Sequence, residues 1–138
     1  MIAYVDSSVL LRIVLQQPGA ARELLGFDDR VTSMIADVEC LCAMDAALAR
    51  GDLDEAQWAD RRTEVYAQLS RMQRVLPTAS VLRRAGMPLP VPLRALDAIH
   101  LATALIWRVR RAPELVFATH DRHQARAALA LGFEVLGI

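Results

Sequence analysis

A chain of 138 residues with 54 % apolar side chains has the size of one domain and enough apolar mass to bury a core. Its 16 basic and 16 acidic residues cancel, so net charge alone marks no nucleic-acid binder. The longest charge-free stretch, near Ala98–Trp107, is far too short to cross a bilayer.

Met1 to Ser8 organises the rest of the chain. Ile2-Ala3-Tyr4-Val5 reads as a buried parallel strand, and Asp6 stands directly after it, where open α/β sheets bind ligands. Ser7-Ser8 are expected to cap a helix running to about Gln16, with Asp6 as a rival cap. Pro18-Gly19 break that helix, and a short second one is expected over roughly Ala20–Gly26. Val31-Thr32-Ser33 form a brief strand, and Ser33 caps a long helix, Met34–Arg50, ended by Gly51. Asp54 with Gln57 forms a capping box that opens a charged helix to about Arg74. Val75-Leu76-Pro77 is a candidate strand and Thr78–Ala85 a short helix. The alternating prolines of Met87–Pro92 hold the chain extended up to a helix over Leu93–Arg110. Leu115–Ala118 is a second buried strand, followed by Thr119-His120-Asp121, a helix to Leu131 and a last strand at Phe133–Leu136. Strands alternating with helices predict an α/β domain over 1–138, with a mostly parallel sheet of four or five strands and about seven helices.

Four carboxylates stand out. Asp121 repeats the setting of Asp6, after a buried strand and before a helix, though each could simply cap its helix. Glu39 shares a helical face with Ile35, Cys42, Ala43 and Ala46, while Asp37 points the other way towards solvent. A glutamate on such a stripe needs an arginine or a cation as partner. Asp97 lies in the first turn of its helix, on a face that continues through His100, Leu101 and Ala104; the dipole alone could account for it. Four acids drawn together repel unless cations hold them, and all-oxygen donors point to Mg²⁺ or Mn²⁺ rather than zinc. Phosphodiester hydrolysis is the natural chemistry of such a site. Four acids in one place would leave four excess positive charges elsewhere, a basic rim.

Tyr4-Val5-Asp6-Ser7-Ser8, Glu39 in a helix after Ser33, Leu96-Asp97-Ala98-Ile99-His100-Leu101-Ala102-Thr103-Ala104 and Ala118-Thr119-His120-Asp121 follow the order and spacing of PIN domains. Over essentially the whole chain the sequence resembles the VapC toxins of toxin–antitoxin pairs. The resemblance implies a Mg²⁺-dependent endoribonuclease acting through metal-activated water. Asp6 and Asp97 would be the firmest ligands, with Glu39 and Asp121 around a second ion or its waters. Ser7 or Thr119 would bond a ligand or water. It also implies a homodimer and a VapB-like antitoxin that silences RNA cleavage. Arg122 and His123 stand where some relatives carry a further acid.

Other residues admit plainer readings. His100 is expected to be a packed, hydrogen-bonded core residue, with contact to Asp97 or substrate as the alternative. His120 and His123 are expected on the rim, and Trp58 and Trp107 in the core or a dimer contact. Arg12, Arg94, Arg108 and Arg122 are candidates for phosphate contacts. The absence of lysine reads first as genome bias. Cys40 and Cys42, two apart on a helix, form no zinc or disulfide pattern and fit a reduced cytoplasmic protein, as does an apolar start interrupted by Asp6. Two other functions compete: a non-catalytic RNA- or protein-binding module of the same fold, and an aspartate-based phosphoacceptor or phosphatase. The last is weakened by Ser8, which stands where a second aspartate is wanted, and by the missing lysine.

Overall fold

The computed structural model describes residues 1–20, 24 and 26–138. Five parallel strands form one sheet: β1 (Ile2–Val5), β2 (Asp29–Ser33), β3 (Gln73–Val75), β4 (Val116–Ala118) and β5 (Val135–Leu136). Their order is β3-β2-β1-β4-β5. Six helices among the described residues flank it: α1 (Ser7–Val14), α2 (Ile35–Ala49), α3 (Glu55–Leu69), α4 (Ala79–Ala85), α5 (Ala95–Arg111) and α6 (Arg122–Ala130). The short helix expected over Ala20–Gly26 falls largely outside the described residues.

The two-residue side-chain period of β1 explains the two cores. Ala3 and Val5 point to one face, where Val9, Leu10, Cys40, Met44, Val65 and Leu69 of α1–α3 cover them. Tyr4 points to the other, against Leu101 and Ala104 of α5, Phe117 of β4 and Ala127 and Ala128 of α6. Tyr4 stacks on Phe117 with centroids 5.3 Å apart. Trp58 packs against the first core and Trp107 against the second, as expected of them.

The chain leaves β1 for β2 on one side and later returns to β4 on the other. The strand order therefore reverses between β1 and β4, and a crevice opens past their carboxyl ends. Asp6 follows β1 and Thr119 follows β4, and Asp6 N donates to Ala118 O at 2.9 Å, so the two strand exits are fastened together.

Several boundaries differ from expectation. Asp6, not Ser7 or Ser8, caps α1, because its carboxylate reaches Ser8 N. The charged helix stops at Leu69 rather than Arg74, since Gln73–Val75 pair with Val31–Ser33 and the sheet edge takes that segment from the helix. The third strand is accordingly 73–75, with Leu76-Pro77 beyond it. The capping box of Asp54 and Gln57 is present. Cys40 is buried as expected, but Cys42 is exposed. No described helix is long and apolar enough to cross a membrane.

Candidate active site

Asp6 is almost wholly buried, and a carboxylate there requires donors. Its Oδ2 accepts from Ser8 N at 3.1 Å, Ser8 Oγ at 2.5 Å and Thr119 Oγ1 at 3.2 Å. Its Oδ1 accepts from Gln124 Nε2 at 3.3 Å. Ser8 therefore does what was expected of Ser7, which makes no side-chain bond to any of the acids. Ser8 Oγ also takes His120 N at 3.0 Å, tying the β1 exit to the loop after β4.

That loop carries Thr119 and Asp121. Thr119 is fully buried; it accepts from Asp121 N at 3.0 Å, and its proton lies between Asp6 and Gln124 Oε1, the latter at 2.8 Å. Asp121 caps α6, its Oδ1 taking His123 N at 2.8 Å and Gln124 N at 3.0 Å. Its Oδ2 makes none of these bonds.

Glu39 lies beside the buried stripe of α2, which is Ala36, Cys40, Met44 and Ala47, rather than on an apolar face of its own. Ile35, Cys42, Ala43 and Ala46, expected to surround it in the interior, are half-buried or exposed. Its side chain is 18 % exposed, and the side chain it meets is not an arginine but His100, whose Nε2 lies 2.6 Å from Oε1. Asp37 is engaged elsewhere, at 2.7 Å from Arg74 Nη1, and is not simply solvated. Helix phase thus separates the two acids as expected: only Glu39 turns to His100.

His100 is fully buried, hydrogen-bonded as a core histidine, and yet inside the site. Its Nδ1 is 2.7 Å from the Tyr4 hydroxyl and its Nε2 is 3.6 Å from Asp6 Oδ1. Burial opposes its protonation, but the Glu39 hydrogen bond and the charges of Asp6, Glu39 and Asp97 outweigh it and raise its pKa. The Tyr4 hydroxyl is held well above its usual range by burial and then by Asp6.

Asp97 is supplied by the first turn of α5. It lines a cavity of about 500 Å³ with Arg94, Asp121, His123, Pro92 and Leu93. Burial, then the charges of Asp6 and Asp121, raise its pKa, while Arg94 and His100 pull the other way. Arg94 Nε is 3.9 Å away on a side chain 90 % exposed, so its pull is screened by water.

The other candidates divide. Arg94 stands at the cavity mouth, and exposed Arg122 opens α6 beside Asp121. Arg108 is occupied structurally, donating to Leu131 O at 3.0 Å and lying over the Phe133 ring, so it is not a free phosphate contact. Arg12 lines a different cavity, with Gly19, Arg30 and Arg71, that shares no residue with the acidic one. His123 is a rim residue that reaches Pro92 O at 3.0 Å. His120 instead fastens the C-terminal residues through Gly137 O.

Two site residues escaped the sequence reading, Tyr4 and Gln124. Each left a signal. A tyrosine in a buried strand needs a partner for its hydroxyl, and a glutamine among Ala125, Ala127 and Ala128 is a polar group on a buried face.

The donor set suits a hard divalent cation: four carboxylates, hydrogen-bonded or crowded by like charge, with no cysteine facing the crevice. Among the described residues, no three His, Cys, Asp or Glu side chains are gathered tightly enough to hold an ion as they stand.

Residues 3–130 match the family model described as PIN domain. The chain is 35 % identical over 136 residues to Ribonuclease VapC46 of Mycobacterium tuberculosis, covering 96 % of this chain and 95 % of the relative. It is 30 % identical over 138 residues to Ribonuclease VapC45 of the same species, covering 97 % and 94 %. Among solved structures, it resembles a chain of a toxin-antitoxin complex from Klebsiella pneumoniae, with a TM-score of 0.66, 18 % identity and coverage of 97 % and 95 %. It also resembles a chain of VapBC2 from Rickettsia felis bound to a promoter DNA fragment, with a TM-score of 0.67, 12 % identity and coverage of 99 % and 98 %.

Proposed function

The chain belongs to the PIN-domain family, and from that premise we propose that it is a Mg²⁺-dependent endoribonuclease, the toxin of a VapBC-type pair. Support comes from one network that joins four separate stretches of chain: His100 meets both Glu39 and Asp6, Thr119 and Gln124 tie Asp6 to the Asp121 amide and the Asp97 carbonyl, and the side chains of Asp97 and Asp121 line one cavity.

Asp6 and Asp97 would hold the ion most directly, with Glu39 and Asp121 completing the acidic surround; Mn²⁺ would serve in place of Mg²⁺. A bound divalent ion supplies Lewis acidity, sharpening a water as nucleophile and offsetting charge on the scissile phosphate. The protein's own part is preparation. Ser8, Thr119 and Gln124 fix both oxygens of Asp6 before any ligand arrives. Arg94, at the mouth, and exposed Arg122, at the start of α6, draw in the phosphate backbone and set its register. The relatives' names carry the rest of the proposal: RNA as substrate and a VapB-like antitoxin as silencing partner. A cytoplasmic homodimer is the form in which it would act.

The test is cleavage of a defined RNA by purified protein, with Mg²⁺ and with chelator, followed by mapping of the ends. Asp6→Asn and Asp97→Asn should each lower cleavage at least about 100-fold, on the scale of losing a group that stabilises the transition state. If both variants cut like the parent, the assignment of the site is wrong.

A further inference from the structure

His100 lies between two elements that the acids alone do not connect. Its ring comes from α5, Glu39 from α2 and Tyr4 from β1. Nε2 faces Glu39 Oε1 at 2.6 Å and Asp6 Oδ1 at 3.6 Å. A carboxylate can only accept, so Nε2 carries the proton whatever the charge on the ring. At the far side Nδ1 meets the Tyr4 hydroxyl at 2.7 Å. Tyr4 is itself immobile: fully buried, stacked on Phe117, and set edge-on to the imidazole with centroids 5.9 Å apart. The ring is held at both nitrogens and across its edge. It cannot turn without breaking one bond or the other, and the position of its N–H is dictated by the sheet.

Glu39 has no such constraint of its own. It is on the edge of its helix's buried stripe, on a long side chain, and His100 is the one partner its carboxylate has among the described residues. We propose that His100, braced by Tyr4, is a positioning residue that sets the Glu39 carboxylate opposite Asp6, so that the two acids meet a divalent ion at a fixed separation. The inference rests on the nuclease reading for its purpose but not for its geometry. Outer partners of this kind govern metal affinity by orienting the ligands that touch the ion.

The contrary role is a histidine that only competes with the ion for the two carboxylates. The two roles predict opposite signs. The experiment measures Mn²⁺ binding to the full chain by electron paramagnetic resonance and calorimetry, together with the Glu39 side-chain carboxyl ¹³C signal of the ion-free protein. His100→Leu fills the space without a donor and should weaken Mn²⁺ binding roughly 10–100-fold. Tyr4→Phe removes one hydroxyl, keeps the stack, and should shift binding the same way by a smaller factor. His100→Gln, which restores an N–H near the place of Nε2, should recover part of the loss. The Glu39 signal should move in His100→Leu and, because the brace is lost, in Tyr4→Phe as well. Binding that is unchanged or tighter in both His100→Leu and Tyr4→Phe overturns the proposal; should His100→Leu not fold, Tyr4→Phe decides by the same criterion. A parent that binds Mn²⁺ without cutting RNA removes the nuclease reading alone. A parent that cuts RNA, with variants that bind Mn²⁺ no more weakly, removes the positioning role alone.

Discussion

Gln124 is fully buried and sets its amide nitrogen 3.3 Å from Asp6 Oδ1, while the same nitrogen reaches the Asp97 carbonyl at 3.3 Å. One side chain of α6 thus ties the acid after β1 to the helix that carries the next. Its Oε1 takes the Thr119 hydroxyl at 2.8 Å, so both ends of the amide are committed. Replacing it with an apolar side chain strands buried polar groups rather than removing them in pairs. Gln124→Leu should therefore cost about 1–3 kcal/mol in urea unfolding. Gln124→Glu should cost more at neutral pH, because a second carboxylate then faces Asp6. A Gln124→Leu variant within about 0.5 kcal/mol of the parent, the range of an ordinary surface substitution, would show that the network holds little.

The acids give the ion-free protein a pH dependence of definite sign. The Asp97 pKa is raised above 3.8 by burial, then by Asp6 and Asp121. As pH rises, the unfolded chain loses that proton first, so ionisation favours unfolding until pH passes the folded value. Burial pulls His100 down, but Glu39 and Asp6 outweigh it and lift the ring above 6.5. Its contribution is complete below 6.5 and lost as pH climbs through the folded value. Both groups push the same way. Melting temperature should fall between mildly acid and mildly alkaline buffer, with chelator present. Asp97→Asn should raise it, and by more at about pH 8 than at about pH 4. A gain equal at both values would mean that neither burial nor the neighbouring acids raise the Asp97 carboxyl.

Much of this was readable from spacing. The strand-then-acid pattern placed Asp6 and Asp121 past two strands of one parallel sheet, whose carboxyl ends gather along one edge; that the two strands are neighbours is a matter of strand order, which the pattern does not contain. The sequence set capping against function for both residues; in the structure Asp6 and Asp121 do cap their helices while facing the crevice. A carboxylate has two oxygens with two lone pairs each: in Asp121 one oxygen serves the helix and the other is left over, and in Asp6 the capping oxygen is Oδ2 while Oδ1 accepts a single bond from Gln124. The partner of Glu39 was not readable, since helix phase says which way a side chain points but not what another helix brings to meet it. Tyr4 and Gln124 were missed for the same reason: their role lies in contacts made across 96 and 118 residues of chain. The end of α3 was misplaced because pairing of Gln73–Val75 with β2 is a long-range event that local propensity does not contain.

The two cysteines should part company under alkylation. Cys40 is fully buried, and burial, followed by the charges of Glu39, Asp6 and Asp37, pushes its thiol up to about 12. Cys42 is exposed. Since the thiolate is the nucleophile, iodoacetamide at mildly alkaline pH should add one group per folded chain and two in urea, read by intact mass. Cys42→Ser should leave the folded protein unmodified over the same interval. Rapid labelling of that variant would mean that the α2 face opens far more readily than its packing implies.

Gly137 and Gly132 separate two costs that a glycine can hide. Both have positive φ, +78° at Gly132 and +97° at Gly137. A Cβ at Gly132 would meet nothing within 4 Å, whereas one at Gly137 would lie 2.5 Å from the Thr119 carbonyl oxygen and 3.3 Å from His120 Nδ1. Gly132→Ala should thus bear only the left-handed backbone cost, about 1–2 kcal/mol. Gly137→Ala bears that and a collision with backbone, which has no flexible end to move aside. The collision falls on the loop that holds Asp6 through Thr119 and whose Thr119 N donates to Leu136 O at 3.0 Å. Gly137→Ala should therefore be the more destabilised of the two in thermal unfolding, and it alone should also reduce RNA cleavage, by disturbing Thr119. Equal losses of stability in both variants, with cleavage untouched in each, would show that the C-terminal residues yield to the added methyl without moving the loop.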